Sequence, residues 1–378
     1  MARFTMPRDI YYGRGALAQL RKIKGQRAMV IGSPLAVESG FLRRAEGYLQ
    51  SAGLMVRSYT CLGQGPTLEQ AQAGAKAMQE FKPDWIIALG GETTVSAAKA
   101  MWVLFENPAL QATKLGQWGG FPPLRKLARL IIAPAGSGGE GALGGAAFVL
   151  DISQGRRYLL QDPALTPDLA IIDPDLAATV PPLDLGRGGM AALSQALETL
   201  CGGAGAFADA LAYRAALDML RQMESAAGGD LRARSILHEG QCMAGLAFAN
   251  GRAGLCQILA ANLCAAFYKP LPTGICEAIC LPLALPRDPG AKEVAARISR
   301  GLSLSGDSLA SLCGRLAGMR KALGLPRSLE AYGIEEAEFL SKLPILCSRI
   351  AQDAGHEMNL HASEKDMEQL LQQVYYGG

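Results

Sequence analysis

Along the first half of the chain, short apolar runs alternate with stretches of helical spacing. "RAMVIGSP" (27–34) is an apolar run closed by Gly and Pro, and "GFLRRAEGYLQSAG" (40–53) repeats its apolar residues at the helical period. "LMVRSYTCL" (54–62) reads as a strand, "TLEQAQAGAKAMQEF" (67–81) as a helix, and "DWIIALGGET" (84–93) as a strand running into glycines. "LARLIIAPAGSGGEG" (127–141) repeats the strand-then-glycine pattern, and "DLAIIDPDL" (168–176) is a further apolar run that leads to "VPP" (180–182). This order predicts an α/β fold with a parallel, Rossmann-like sheet under covering helices, and ligands beyond the carboxyl ends of the strands. After Pro182 the texture changes to long Ala- and Leu-rich helical segments with few β-branched runs. We therefore expect an α/β nucleotide-binding-type domain over 1–182 and an all-helical domain over 183–378.

Composition agrees with two well-buried domains. The chain has 378 residues, more than one core usually organises, with 49% hydrophobic and 19% charged residues. A net charge of +3, with no long basic run and few aromatics, argues against nucleic-acid or membrane-surface binding. The N-terminal "MARFTMPRDIYYG" has no apolar secretory core, and no run of about 18 apolar residues occurs anywhere, so a cytoplasmic location is expected. Nine cysteines without regular spacing fit a reducing compartment. Cys276 and Cys280, four apart, read as a buried helical pair more than as metal ligands.

Two glycine-rich turns carry candidate chemistry. In "LGGETTVSAAKA" (89–100), a strand ends at Gly90 and Gly91 and a helix begins near Thr93, which offers backbone N–H groups and a positive dipole end to a phosphate. Tight strand-to-helix turns use glycine for steric reasons too. Glu92 counts against phosphate, because a carboxylate at a helix start repels a pyrophosphate or takes the N–H groups itself. "PAGSGGEG" (134–141) forms either a second wall, with Ser137 and Gly138 as donors, or a plain turn. Further on, "GMAALSQALE" (189–198) places Ala191 and Gln195 on one helix face, four apart, where a metal-binding pair would sit.

These segments together resemble the iron-containing (group III) alcohol dehydrogenases, relatives of glycerol dehydrogenase and dehydroquinate synthase, over nearly the whole length. "FTMPRDIYYGRGAL" (4–17) is similar to the family's first strand and G-x-G-x-L turn, and "PTLEQ" (66–70) with "FKPDWIIALGGET" (81–93) to its P-T and P-D-x-I-I-x-x-G-G-G-S motifs. "AKAMWVLFENP" (98–108), "PDLAIIDPDL" (167–176), "AGLAFAN" (244–250) and "LGLPRSLEAYGIEEAEF" (323–339) match further family segments in the right order.

The resemblance implies one divalent metal held by an Asp and a His in G-M-D-A-L-x-H-A-x-E, a His in G-L-x-H-x-x-A-H, and a His in P-H-G. At those positions this chain has Ala191, Gln195, Gln257 and Thr273, and Ala261 replaces the following His of the second motif. Alanine cannot ligate, and two amides and a hydroxyl offer neutral oxygens where Fe²⁺ or Zn²⁺ prefers imidazole and carboxylate. No iron or zinc is expected at the family site. Glu277 with Cys256, Cys264 and Cys276 could form a displaced site, though buried structural roles suit them better. If Gln195 and Gln257 are buried they must hydrogen-bond something, and pairing with each other would replace the metal as a cross-link.

For the cofactor, the resemblance implies NAD or NADP. Gly90, Gly91, Thr93 and Lys99 match the family loop, whereas Glu92 replaces a Gly and Ser96 an Asp. Arg157 stands near the place of a cofactor-facing lysine, and Ser33 replaces the Asp of NAD-preferring members, which would permit NADP. His238, His356 and His361 lie outside the ligand motifs, and Ser363 with Asp366 reads as a helix cap. Two readings follow: a pseudoenzyme with a structural, assembly or regulatory role and a protein partner, or a metal-free NAD(P)(H)-dependent oxidoreductase working in the interdomain cleft. A conventional metal-dependent alcohol dehydrogenase comes last. The resemblance alone implies a homo-oligomer, most simply a homodimer.

Overall fold

The computed structural model describes residues 3–60, 66–110, 115, 121–135, 143–269, 271–305, 308–358 and 363–377. Its strands are β1 (Asp9–Tyr12), β2 (Arg27–Gly32), β3 (Met55–Thr60), β4 (Trp85–Gly90), β5 (Arg129–Pro134), β6 (Ala146–Asp151), β7 (Arg156–Gln161) and β8 (Leu169–Ile172). All except β6 and β7 join one parallel sheet in the order β1-β8-β5-β4-β2-β3. A parallel sheet is covered on both faces, which is why its strands read as unbroken apolar runs. Alternate residues of β2 show the division. Met29 and Ile31 pack under α3 (Leu68–Phe81) and α4 (Glu92–Glu106), while Val30 packs on the other face with Leu49 of α2 (Phe41–Ser51). The short α1 (Pro34–Glu38) follows β2, and a 3₁₀ helix (Ala16–Lys22) follows β1. Asp173, just after β8, accepts from the backbone N–H of Leu17 at 3.0 Å and ties that helix to the sheet.

β6 and β7 form a separate antiparallel hairpin, which the sequence reading did not anticipate. Its turn is held by Asp151, whose Oδ1 accepts from the N–H of Gln154 at 3.1 Å.

Beyond β8 the described residues contain helices and no strand: α5 (Pro182–Gly202), α6 (Ala206–Ala227), α7 (Leu231–Phe248), α8 (Leu255–Leu263), α9 (Thr273–Ala284), α10 (Ala291–Leu302), α11 (Ser308–Ala322), α12 (Leu329–Tyr332), α13 (Glu336–Met358) and α14 (Glu364–Tyr376). α5 starts on Pro182, whose missing N–H costs nothing in a first turn, and stops at Gly203 in the left-handed region. Nearly every α5 residue from Leu185 to Leu200 is buried, so α5 is the axis of the helical half. α14 begins with the Ser363–Asp366 capping box read from the sequence.

Two features bring the halves together at one place. The pairings Gly32 with Leu89 and Gly90 with Pro134 align the ends of β2, β4 and β5 along one sheet edge. Phe148 of the hairpin packs with Phe248 of α7 and Ala253, so the hairpin bridges sheet and helices beside that edge.

Candidate functional site

The β4–α4 turn is built as the sequence reading requires, up to its first helical residue. Gly90 closes β4 so tightly that a Cβ there would lie 2.5 Å from Thr94 Oγ1, and Gly91 precedes the helix with extended backbone. Thr93 is half-buried in the first turn of α4. Glu92 points its carboxylate to Arg157 of β7, and the two form an ion pair. Arg157 is only 5% exposed, and its guanidinium lies 3.5 Å from the Phe148 ring centroid. A buried cation therefore sits against a helix N-terminus, and the neighbouring carboxylate makes this acceptable.

The other loop residues are also engaged internally. Ser33 caps α1 by accepting from the N–H of Ala36 at 3.1 Å. Ser96 accepts from the N–H of Phe148 at 3.0 Å. Lys99 is fully buried and donates to the carbonyls of Gly144 and Ala146, each at 2.7 Å, and burial pushes its pKa well down. Ser137 and Gly138 lie outside the described residues.

In the helical half, the four ligand-like positions stand on α5, α8 and α9, which Gln257 joins; Ala191, Gln195 and Gln257 are buried and Thr273 is half-buried. Ala191 and Gln195 stand on α5, Gln257 on α8, and Thr273 opens α9. Both glutamines are buried, as required, but they do not bond to each other. Gln257 Nε2 donates to Ser194 Oγ at 3.0 Å and to a carboxylate oxygen of Glu277. Neither amide atom of Gln195 has a hydrogen-bond partner among the described residues. The expected glutamine pair is thus corrected. The Glu277 carboxylate offers the Gln257 amide a charged acceptor, stronger than a second amide, and Ser194 takes its other N–H.

The sequence reading assigned no role to Glu198. Its Oε1 accepts from the N–H of Cys256 at 2.6 Å and its Oε2 from the N–H of Gln257 at 3.3 Å, so it caps the start of α8. Gly254 makes this approach feasible, since a Cβ there would fall 2.4 Å from the carboxylate. Burial raises the Glu198 pKa to about 8 despite those N–H donors. This contact spans more than 50 residues and has no local signal; position ten of the "GMAALSQALE" segment was the only hint.

The cysteines are packed as thiols. Cys276 and Cys280 lie 3.9 Å apart, sulfur to sulfur, on buried turns of α9, as the sequence spacing predicts. Cys264 hydrogen-bonds Cys276, and that contact, followed by burial, raises its pKa. Burial does the same to Cys256. Such thiols resist becoming the thiolates that metals bind. Among the described residues no group of three His, Cys, Asp or Glu is arranged to hold an ion.

His238 is buried on α7, where burial lowers its pKa to about 4 and keeps it neutral. His356 is exposed beside Glu357, and His361 lies outside the described residues. No described helix is long and apolar enough to cross a membrane.

Comparison with known proteins gives one answer across the chain. The family profile "Iron-containing alcohol dehydrogenase" matches residues 7–174, and "Fe-containing alcohol dehydrogenase family, C-terminal" matches residues 186–375. The chain is 35% identical over 385 residues to an NADPH-dependent butanol dehydrogenase of Clostridium saccharobutylicum, with 100% of this chain and 99% of that protein covered. It is 29% identical over 389 residues to an alcohol dehydrogenase of Thermococcus barophilus, each covered at 100%. The solved structure of an iron-containing alcohol dehydrogenase from Thermococcus thioreducens superimposes with a TM-score of 0.88 at 27% identity, over 100% of both chains.

Proposed function

Because the chain belongs to the iron-containing alcohol dehydrogenase family, we propose that it keeps the family fold without the family's metal site and serves as a pseudoenzyme with a structural, assembly or regulatory role. One observation carries this reading. Where the family sets its ion, the described residues present a methyl group at Ala191, an unbonded amide at Gln195, and a Gln257 already bonded to Ser194 and Glu277. A divalent ion stripped of water needs anionic and imidazole ligands to offset its dehydration. This donor set does not fit one. Glu277, the carboxylate that meets the Gln257 side chain, already accepts its amide.

The nucleotide turn supports the same reading. With Glu92 in the first turn of α4 and paired to Arg157, an incoming pyrophosphate meets a carboxylate and competes with it for the cation. A second reading, a metal-free NAD(P)(H)-dependent oxidoreductase, is favoured by the retained Gly90–Gly91 turn and by the 35% identity to a protein described as NADPH-dependent. Calorimetric titration of metal-analysed protein with NADPH and NADH separates the two. No binding to folded protein, with no butanol oxidation after Fe²⁺ or Zn²⁺ is added, is expected of the pseudoenzyme. Micromolar binding of NADPH without metal would favour the second reading. Turnover that depends on added metal would overturn both.

A further inference from the structure

At the opposite edge of the sheet the parallel strands begin. Asp9 opens β1, Trp85 opens β4 and Arg129 opens β5, while Lys24 and Asp168 stand just before β2 and β8. At about 3.3 Å per residue, six-residue strands place this edge roughly 20 Å from the glycine turns. Here a crevice of about 470 Å³ is lined by Tyr11, Gln19, Lys22, Lys24, Trp85 and Arg129, together with two ion pairs.

The acids in the crevice are already committed. Asp9 accepts from Arg8 Nε at 2.9 Å, and Asp168 accepts from Arg125 Nε at 3.0 Å and from the N–H of Leu130 at 3.0 Å. Lys22, Lys24 and Arg129 have no carboxylate within salt-bridge distance among the described residues. They come from two segments, the end of the first 3₁₀ helix with the turn after it and the start of β5, and face one hollow. Arg129 is held with its guanidinium 5.7 Å from the Trp85 ring centroid. Gln19 contributes a buried Oε1 with no hydrogen-bond partner among the described residues. A second hollow of about 750 Å³ shares Arg8, Arg125 and Asp168 and adds Thr166, which is 6% exposed and whose Oγ1 also has no partner there.

We propose that this crevice binds a nucleoside di- or triphosphate at a site separate from the family's interdomain cleft. Its volume falls within the range of small-ligand sites. Lys22, Lys24 and Arg129 supply charge-assisted donors to the phosphates. Gln19 lines the crevice with its Oε1 turned inward and unpartnered among the described residues; turned to the crevice, it accepts from a ribose hydroxyl or base amino group, a donor that a bare polyphosphate lacks. Tyr11, 41% exposed at the rim, gives a ring for the base to lie against.

The test is calorimetry on the full-length protein near 0.15 M salt, with ADP and pyrophosphate as probes. ADP is expected to bind at least about tenfold more tightly than pyrophosphate, and Lys24→Gln and Arg129→Gln are each expected to weaken ADP about fivefold to tenfold. Lys292→Gln, an exposed charge on α10, is expected to change nothing. Equal affinity for the two probes would overturn the nucleoside assignment. No ADP binding, ADP binding unchanged in the crevice variants, or an equal loss in Lys292→Gln would overturn the site. All three substitutions are at exposed side chains, and circular dichroism checks that each variant is folded.

Discussion

Gln257 donates from Nε2 to Ser194 Oγ at 3.0 Å, a buried bond from α8 to α5 in the region where the family resemblance places metal ligands on both helices. The same amide reaches Glu277 on α9, so one side chain links three helices. Gln257→Ala removes that link, opens a cavity and leaves the hydroxyl and the carboxylate short of a donor. It is expected to cost about 2–4 kcal/mol in urea unfolding.

Gln195 presents the opposite case. Its buried amide has no partner among the described residues, and such atoms carry their desolvation cost without return. Gln195→Leu, of similar volume, is expected to leave stability unchanged or raise it by about 1–3 kcal/mol, read as an upward shift in Tm. A large loss would show that the amide is satisfied in solution.

Glu92→Gly restores the family residue at the nucleotide turn. It removes the carboxylate from the α4 N-terminus and takes one ion-pair partner from the buried Arg157 cation. The variant is expected to melt lower than the parent, to gain NADPH binding that the parent lacks, and to recover Tm when NADPH is added. Calorimetry and thermal scans check both halves.

Two buried groups give stability a pH dependence. The Glu198 pKa is raised from 4.5 to about 8, so between those values the native state holds a proton the unfolded chain has released, and stability falls as pH rises. The His238 pKa is lowered from 6.5 to about 4, so there the unfolded chain holds the extra proton, and stability falls as pH falls. The two oppose each other from 4.5 to 6.5, and His238 no longer opposes Glu198 between 6.5 and 8. Unfolding free energy is expected to decline over that last interval by up to about 1.4 kcal/mol per pH unit, and Glu198→Gln is expected to flatten the decline.

How much of this was legible in the sequence follows the range of each interaction. β2, β4, α3 and the Ser363 cap are set by residues a few positions apart, and periodicity and cap chemistry found them. The β6–β7 hairpin had a local signal in "AAFVLD" and "RRYLLQ" flanking a four-residue turn, and the glycine-rich surroundings hid it. Motif order identified Ala191, Gln195, Gln257 and Thr273 as the substituted ligand positions of the family. It could not reveal which way each side chain turns, because the partners of Gln257, Glu198 and Arg157 lie between 20 and 65 residues away. Lys99 shows the same limit: its position matches a loop residue of the family, while its ammonium turns inward onto two carbonyls.

The central claim is that this chain has exchanged a metal for a hydrogen-bonded helix junction. The most direct measurement is metal content after incubation with excess Fe²⁺ or Zn²⁺ and gel filtration, paired with Tm before and after chelation. The account predicts well under one ion per chain and a Tm that neither ion nor chelator moves. One ion per chain, with a chelator-sensitive gain of about 2.7 kcal/mol at a hundredfold excess over Kd, would contradict it.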